Sequence, residues 1–503
     1  MSRFLVILVV SSIFIQPIVG PVWVWNGRNR DHGIMLPPLK IPERLRTDPI
    51  KTGWFTQKLD HFDQSETRTW KQKWLMNRIF ARLGGPGFLQ FGGEGPASDG
   101  FLQTGNGTIL MDWMKNAKLV GATSFILEHR YYGKSIPLEG ADNDISRMRY
   151  LSSRQALSDT AAFIRWAKRE YGLEKWVVFG GSYSGSLSAW MRLLYPDLVV
   201  GAVSNSGPVQ AIVNFTDYAD VTGRDLRLVD PKCFDETKKA FSMLHEMLQT
   251  KEGRDKLTKQ LNLCHYVTPD SKQALSVLAD SLAGPFYTTA QYGGDNRPPY
   301  DTLTVSHLCR IMTDTVKYPN ALDRVVAVGR WATGADADTT RDWNCLDNSY
   351  MEQLQAMKEM HSQRGWQWQC CTELGFFQTT DGREQPFGHF SPIDTRMQIC
   401  QDAFGISPTQ VQRYVDETNR YYGGQRNFNA SNVVFVNGSQ DPWYKLAVYN
   451  TSWQRPGQRI VLVDGQAHCA NMYPPRSNDT QAIIAARKIV TQEILRWLDL
   501  DST

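Results

Sequence analysis

No basic arm or stripe stands out along this chain of 503 residues, in which 55 Lys and Arg face 51 Asp and Glu for a net charge of only +4. That balance lacks the electrostatic footprint of a nucleic-acid binder. No two cysteines stand in C-x-x-C spacing, so the sequence offers no zinc site, and no metal or organic cofactor is implied. Internal repeats and low-complexity tracts are absent, which excludes solenoids and fibrous chains. Past the first twenty residues no apolar run approaches the roughly 20 residues that a bilayer span needs. What remains is 42% hydrophobic and 21% charged, a globular composition with a large core. At roughly 100–200 residues per domain, the length fits two or three domains or one large enzyme.

The N-terminus reads as an address. Arg3 precedes a largely apolar run from Phe4 to Val19, and the small Gly20 follows. A short positive region, an apolar segment and a small residue make residues 1–20 a cleavable secretory signal, in preference to a signal anchor. Residues 21–50, rich in Arg and Pro, read as an extended lead-in. Six Asn-x-Ser/Thr sequons, at Asn106, Asn214, Asn429, Asn437, Asn450 and Asn478, agree with a secretory route. Asn437 is the doubtful one, because it ends an apolar strand. Of the eight cysteines, seven fall between Cys233 and Cys400, which in an oxidising compartment suggests disulfides.

Strand-like runs at Trp70–Met76, Phe88–Gly92, Ser124–Glu128, Trp176–Phe179 and Leu198–Val203 alternate with helical patterns at Ile109–Lys118, Arg154–Glu170 and Ser184–Leu194. Such alternation predicts a mostly parallel sheet covered on both faces. The pattern resumes with Val433–Val436, Ile460–Val463 and a final helix carrying Ile483, Ala486, Val490, Ile494 and Trp497 on one face. Residues 210–425 hold most cysteines and helical stretches, and read as a helical cap inserted between residues 51–209 and 426–503.

The strongest local signal is Trp-Val-Val-Phe-Gly-Gly-Ser182-Tyr-Ser184-Gly185, a buried strand turning into a helix. Such an elbow exposes a serine hydroxyl at the carboxyl end of a sheet, provided the neighbouring residues are small. Gly180 stands two before Ser182; two after it is Ser184 where the pattern wants Gly. An acid and a histidine should follow in that order. Asp441 lies just past the strand at Val433–Val436, and His468 just past Ile460–Val463. Asp464 is a rival acid. In this reading His468 takes the proton of Ser182 and Asp441 orients the imidazole. The oxyanion donors would be the backbone N–H of Tyr183 and one from Gly92-Gly-Glu-Gly95, either Gly93 or Glu94, with Gly93 preferred.

Gly-Gly-Ser182-Tyr, Glu128-His-Arg-Tyr-Tyr-Gly133, Gly92-Gly-Glu-Gly95 and Asn437-Gly-Ser-Gln-Asp-Pro-Trp443 together resemble the serine peptidase family of lysosomal Pro-Xaa carboxypeptidase, dipeptidyl peptidase II and thymus-specific serine protease. Gly-Gly-Glu-Gly and Cys469 after His468 resemble the thymus-specific branch. The resemblance implies an α/β-hydrolase fold with a disulfide-linked helical cap, and a triad falling on Ser182, Asp441 and His468. It implies pairs Cys233–Cys309 and Cys264–Cys345, leaving Cys370, Cys371, Cys400 and Cys469 unassigned. It implies peptide substrates cut near a terminus, next to proline, in a lysosomal or secreted enzyme. Glu94 is a candidate for a substrate ammonium, or a loop brace against Arg130; Tyr131 and Tyr132 are candidates for pocket lining or for packing. The alternatives are a capped esterase or lipase, and an inactive hydrolase-like binding protein. The end of the peptide attacked and the oligomeric state, a homodimer among the options, stay open.

Overall fold

The computed structural model describes residues 50–500 apart from 106–109, 141–143, 269, 295–301, 333–344, 347 and 360. The expected signal, most of the lead-in and Asn106 lie outside the described residues.

Eight strands form one sheet: β1 (Lys51–Lys58), β2 (Thr69–Asn77), β3 (Gly87–Phe91), β4 (Thr123–Leu127), β5 (Trp176–Gly181), β6 (Gly201–Asn205), β9 (Val433–Gly438) and β10 (Gln458–Val463), after a small pair β7 (Ile212–Phe215) and β8 (Gly375–Gln378). The order is β1-β2-β4-β3-β5-β6-β9-β10. β2 runs antiparallel to both neighbours and the other pairings are parallel. This is the α/β-hydrolase fold. Its central strands are buried at every position, in keeping with their mostly apolar runs.

Helix α1 (Asp112–Val120) links β3 to β4, and α2 (Ser153–Tyr171) links β4 to β5 on the other side of β3. The chain thus switches direction at β3 and β5, and a crevice opens beyond their carboxyl ends. Helix α3 (Tyr183–Leu194) follows β5. The sheet separates two cores. One joins α2, α3 and the inserted helices; the other joins α1 and the final helix.

The stretch between β6 and β9 contains, among its described residues, ten α-helices: α4 (Asp217–Val229), α5 (Pro231–Leu248), α6 (Lys251–Gln260), α7 (Lys272–Tyr292), α8 (Val305–Thr313), α9 (Ala321–Ala332), α10 (Tyr350–Glu359), α11 (His361–Gln369), α12 (Ile393–Phe404) and α13 (Pro408–Tyr422). Disulfides join Cys233 to Cys309, Cys264 to Cys345 and Cys371 to Cys400. Cys370 and Cys469 are buried thiols. The last helix, α14 (Gln481–Trp497), returns to the sheet, and its Trp497 ring lies where a Cβ on Gly201 would stand.

Two expectations shift. The strand expected at Leu198–Val203 begins at Gly201, because Leu198 and Val199 close a turn on the Tyr195 carbonyl. The edge strand β1, rich in Lys, Thr and Gln, carries too little apolar signal to be read beforehand. Asn437 is corrected as a glycan acceptor: it is 2% exposed at the end of β9, with Nδ2 donating to the Val448 carbonyl. Asn214 is half-buried, bonded to Asp381 and Thr379, whereas Asn429 and Asn478 are exposed.

Candidate active site

Ser182 sits between β5 and α3 with φ 60° and ψ −135°, a conformation that costs a non-glycine residue on the order of 1–3 kcal/mol and persists only when its surroundings hold it. The surroundings do so. The Ser182 N–H donates to the Asn205 carbonyl at 2.9 Å, while Asn205 Nδ2 donates to the Gly180 carbonyl at 2.9 Å. A Cβ on Gly180 would stand 1.9 Å from the Ser184 carbonyl oxygen, so only glycine fits. Ser184, the departure from the expected pattern, has its own use. Its Oγ donates to the Gly181 carbonyl at 2.7 Å and accepts from the Gly181 N–H at 2.9 Å, clamping the turn from inside.

Asp441 follows β9 and is fully buried. Its Oδ1 accepts from the Trp443 N–H at 3.0 Å, capping the short turn Pro442–Leu446. Its Oδ2 lies 2.7 Å from His468 Nδ1. One carboxylate thus both caps the turn and holds the imidazole. The rival Asp464 is exposed and accepts from Ser439 Oγ, away from the imidazole.

His468 is held from three sides. Asp441 binds Nδ1; its backbone N–H donates to the Gln291 carbonyl at the end of α7 at 2.8 Å; the Tyr292 ring packs edge-on at 6.0 Å. Cys469, at φ 61°, donates its N–H to Ser206 Oγ and so fixes the loop to the end of β6. Burial alone would depress the imidazole pKa; the Asp441 carboxylate, with help from Cys469, outweighs it and leaves the ring well above its ordinary value. Nε2 is buried without a hydrogen-bond partner, so its bond to Ser182 is not formed in this state. Bonds of this kind commonly tighten only with substrate.

The Tyr183 N–H stands in the first turn of α3, where a helix offers no internal acceptor. Gly93 follows β3, and a Cβ built on it would lie 3.8 Å from Ser184 Cβ, so this loop passes beside the elbow. Glu94 is 3% exposed. Its expected partner is a correction: Arg130 is wholly buried and clasps Asp159 through Nε at 2.6 Å and Nη2 at 2.7 Å. Loop bracing falls to Glu128, which accepts from the N–H groups of Ala97 and Lys134 and from Ser135 Oγ. Tyr131 and Tyr132 pack; Tyr131 donates to the Arg147 carbonyl and Tyr132 to Gln369 Oε1 at 2.6 Å.

Several supporting residues escape sequence reasoning. Gln369, from α11 in the insertion, also donates through Nε2 to the Tyr183 hydroxyl at 2.7 Å. That hydroxyl lies 3.1 Å from His129 Nε2, and His129 Nδ1 faces the Arg130 carbonyl at 2.7 Å. Nδ1 must therefore carry the proton, and burial keeps the ring neutral, with its pKa down to about 4. Arg224 on α4 donates to the Ser439 carbonyl and to the Tyr444 hydroxyl, bracing the Asp441 loop. Asp225 beside it is pushed up to about 7, by burial first. No local motif announces these residues; only His129 lies inside a motif that the sequence had singled out.

The profile of the family described as serine carboxypeptidase S28 matches residues 57–490. A Caenorhabditis elegans chain named as a serine protease, F56F10.1, is 36% identical, over 89% of this chain and 84% of its own length. Mouse thymus-specific serine protease is 32% identical, over 89% and 87%. Human lysosomal Pro-X carboxypeptidase is 26% identical, over 88% of each. Among solved structures, proline iminopeptidase of Mycobacterium smegmatis matches 89% of this chain and all of its own, at 13% identity and a TM-score of 0.37.

Proposed function

We propose, from the premise that the chain belongs to the serine carboxypeptidase S28 family and is a serine peptidase, that it removes residues from a peptide terminus through an acyl-enzyme on Ser182. The observation that carries this reading is the conjunction of Ser182 on a strained elbow with a buried Asp441–His468 pair directly under the insertion.

The steps follow from the placement. With substrate bound, His468 Nε2 accepts the Ser182 proton as Oγ attacks the scissile carbonyl. The Tyr183 and Gly93 N–H groups donate to the developing oxyanion, each worth roughly 3 kcal/mol of barrier. The imidazolium, stabilised by Asp441, returns its proton to the departing amine. A water, deprotonated by the same nitrogen, then releases the acyl group.

Terminal rather than internal cleavage is supported by enclosure. Ser182 and His468 are each 1% exposed, and the end of α7 accepts the His468 backbone N–H, so the insertion packs against the base. Preference for proline rests on the relative named as a Pro-X carboxypeptidase. The secretory-signal pattern and the three disulfides support a lysosomal or extracellular site of action. No observation favours an esterase.

The deciding experiment uses one peptide with proline second from each end, incubated at mildly acidic and neutral pH and weighed by mass spectrometry, with Ser182→Ala as control. Loss of an N-terminal dipeptide would define a dipeptidyl peptidase and direct attention to Glu94 as the ammonium acceptor. Loss of one C-terminal residue would define a carboxypeptidase. Internal cuts, or unchanged cleavage by Ser182→Ala, would overturn the reading.

A further inference from the structure

On the sheet face away from the insertion, α1 and α14 lie side by side, joined by Thr491 Oγ1 donating to Asn116 Oδ1 at 2.7 Å. α1 buries Trp113, Met114 and Ala117, and turns Lys115, Lys118 and Leu119 outward; α14 buries Ile483, Ala486 and Val490, and turns Ile484 and Lys488 outward. Between them is a cleft of about 680 Å³. Its apolar wall includes Leu119, 51% exposed, and Ile484, 46% exposed.

The charge around this cleft is one-sided. Arg82, Lys115, Lys118 and Lys488 line it, and among the described residues none of the four is in an ion pair. Arg487, the fifth cation, is buried and engaged with Asp479. The other nearby carboxyl, Asp112, is buried beneath α1. Arg487 is used by the fold, but Arg82, Lys115, Lys118 and Lys488 leave an excess of positive charge around the cleft, on a chain of net charge only +4. Their arrangement around exposed apolar side chains has a use only for a ligand that brings both a negative charge and an apolar body.

We propose that the α1–α14 cleft is a second binding site, separate from the Ser182 centre, for a small amphiphilic anion: one carboxylate, sulfate or phosphate on an alkyl body. The volume lies within the roughly 300–1,000 Å³ of small-molecule sites. The head group sits among Lys115, Lys118 and Lys488, and the alkyl body lies along Leu119 and Ile484. Arg487 stays out of the variants, because it also holds the carbonyls of Asn471 and Tyr473 in the turn after His468.

The test is calorimetric titration of the full, glycosylated protein with dodecanoate below its micelle concentration. Saturable binding is expected at one site. The Lys115→Glu/Lys488→Glu double variant and, independently, Leu119→Asp should each weaken it by about tenfold or more, with peptidase activity unchanged as the control for folding. Inorganic phosphate at equal concentration should not displace dodecanoate. No binding, equal binding by both variants, or displacement by phosphate alone would overturn the proposal. Binding to phosphatidylserine vesicles without binding free dodecanoate would overturn it too, since the surface would then read a membrane rather than hold a single amphiphile.

Discussion

At the scale of the residue, the proposed triad makes the Asp441–His468 contact the setter of both rate and pH profile. Asp441→Asn keeps the shape but loses the charge and tautomer control, and kcat should fall by about 10⁴ with KM little changed. Because His468 must be neutral to accept the Ser182 proton and its pKa is held above the ordinary value, kcat/KM of the native enzyme should fall as pH drops through a midpoint above 6.5. In Asp441→Asn the residual activity should show that midpoint displaced downward; an unmoved midpoint would assign the limb to another group. The elbow offers a paired test. Gly180→Ala drives a Cβ into the Ser184 carbonyl and should abolish both activity and soluble yield. Ser184→Gly restores the commoner pattern but removes two hydrogen bonds to Gly181, and should lower stability by about 1–2 kcal/mol while activity persists.

At the scale of the element, α11 reaches across to the hydrolase part through three side chains: Trp366 packs against the Tyr183 ring, Trp368 Nε1 donates to the Leu151 carbonyl, and Gln369 meets two tyrosines. Gln369 satisfies the hydroxyls of both Tyr132 and Tyr183, and Tyr183 carries the backbone N–H proposed for the oxyanion. Gln369→Leu takes one hydrogen bond from each of two buried hydroxyls, and kcat should fall at least tenfold with KM changed less than threefold, read by steady-state kinetics. Such elements divide into those legible in the sequence and those not. The strand–turn–helix at Ser182 was legible, because Trp-Val-Val-Phe and its glycines signal burial and close backbone approach locally. The order of acid and histidine was legible because each follows an apolar run. β1 was not, since its Trp54 and Phe55 stand side by side among Lys, Thr and Gln and give no period-two alternation. Gln369, Gln291 and Arg224 were not, since each acts from the insertion on residues far along the chain. The Cys371–Cys400 bond was left open as well, as cysteine positions do not fix partners.

At the scale of the whole molecule, buried acids make stability depend on pH in a calculable direction. Burial pushes Asp112 up to about 6 and Asp225 and Glu373 to about 7. The folded chain thus holds protons that the unfolded chain has released, so this stability is full below about pH 4 and is lost as pH rises toward 7. His129, depressed to about 4, works the other way: its contribution is full above pH 6.5 and lost as pH falls to 4. His468, Asp220 and Asp280, all raised as well, act in the same direction as these acids, so the net slope is downward. The melting temperature should therefore be higher at pH 5 than at pH 7.5, and Glu373→Gln should flatten the difference; a higher value at pH 7.5 would contradict these assignments. Catalysis asks the reverse, needing pH above the His468 midpoint. The enzyme is thus most durable where its base is protonated and most active where its fold is weakest.

The interruption of the sheet between β6 and β9 also governs when activity can arise. Ser206 at the end of β6 receives the N–H of Cys469, 263 positions later. A chain still emerging from the ribosome carries the elbow long before it carries an acid or a base. On the proposed triad, until the insertion is made and the last two strands dock, Ser182 has nothing to take its proton. The order of synthesis itself keeps the nascent peptidase silent toward the other proteins being made around it.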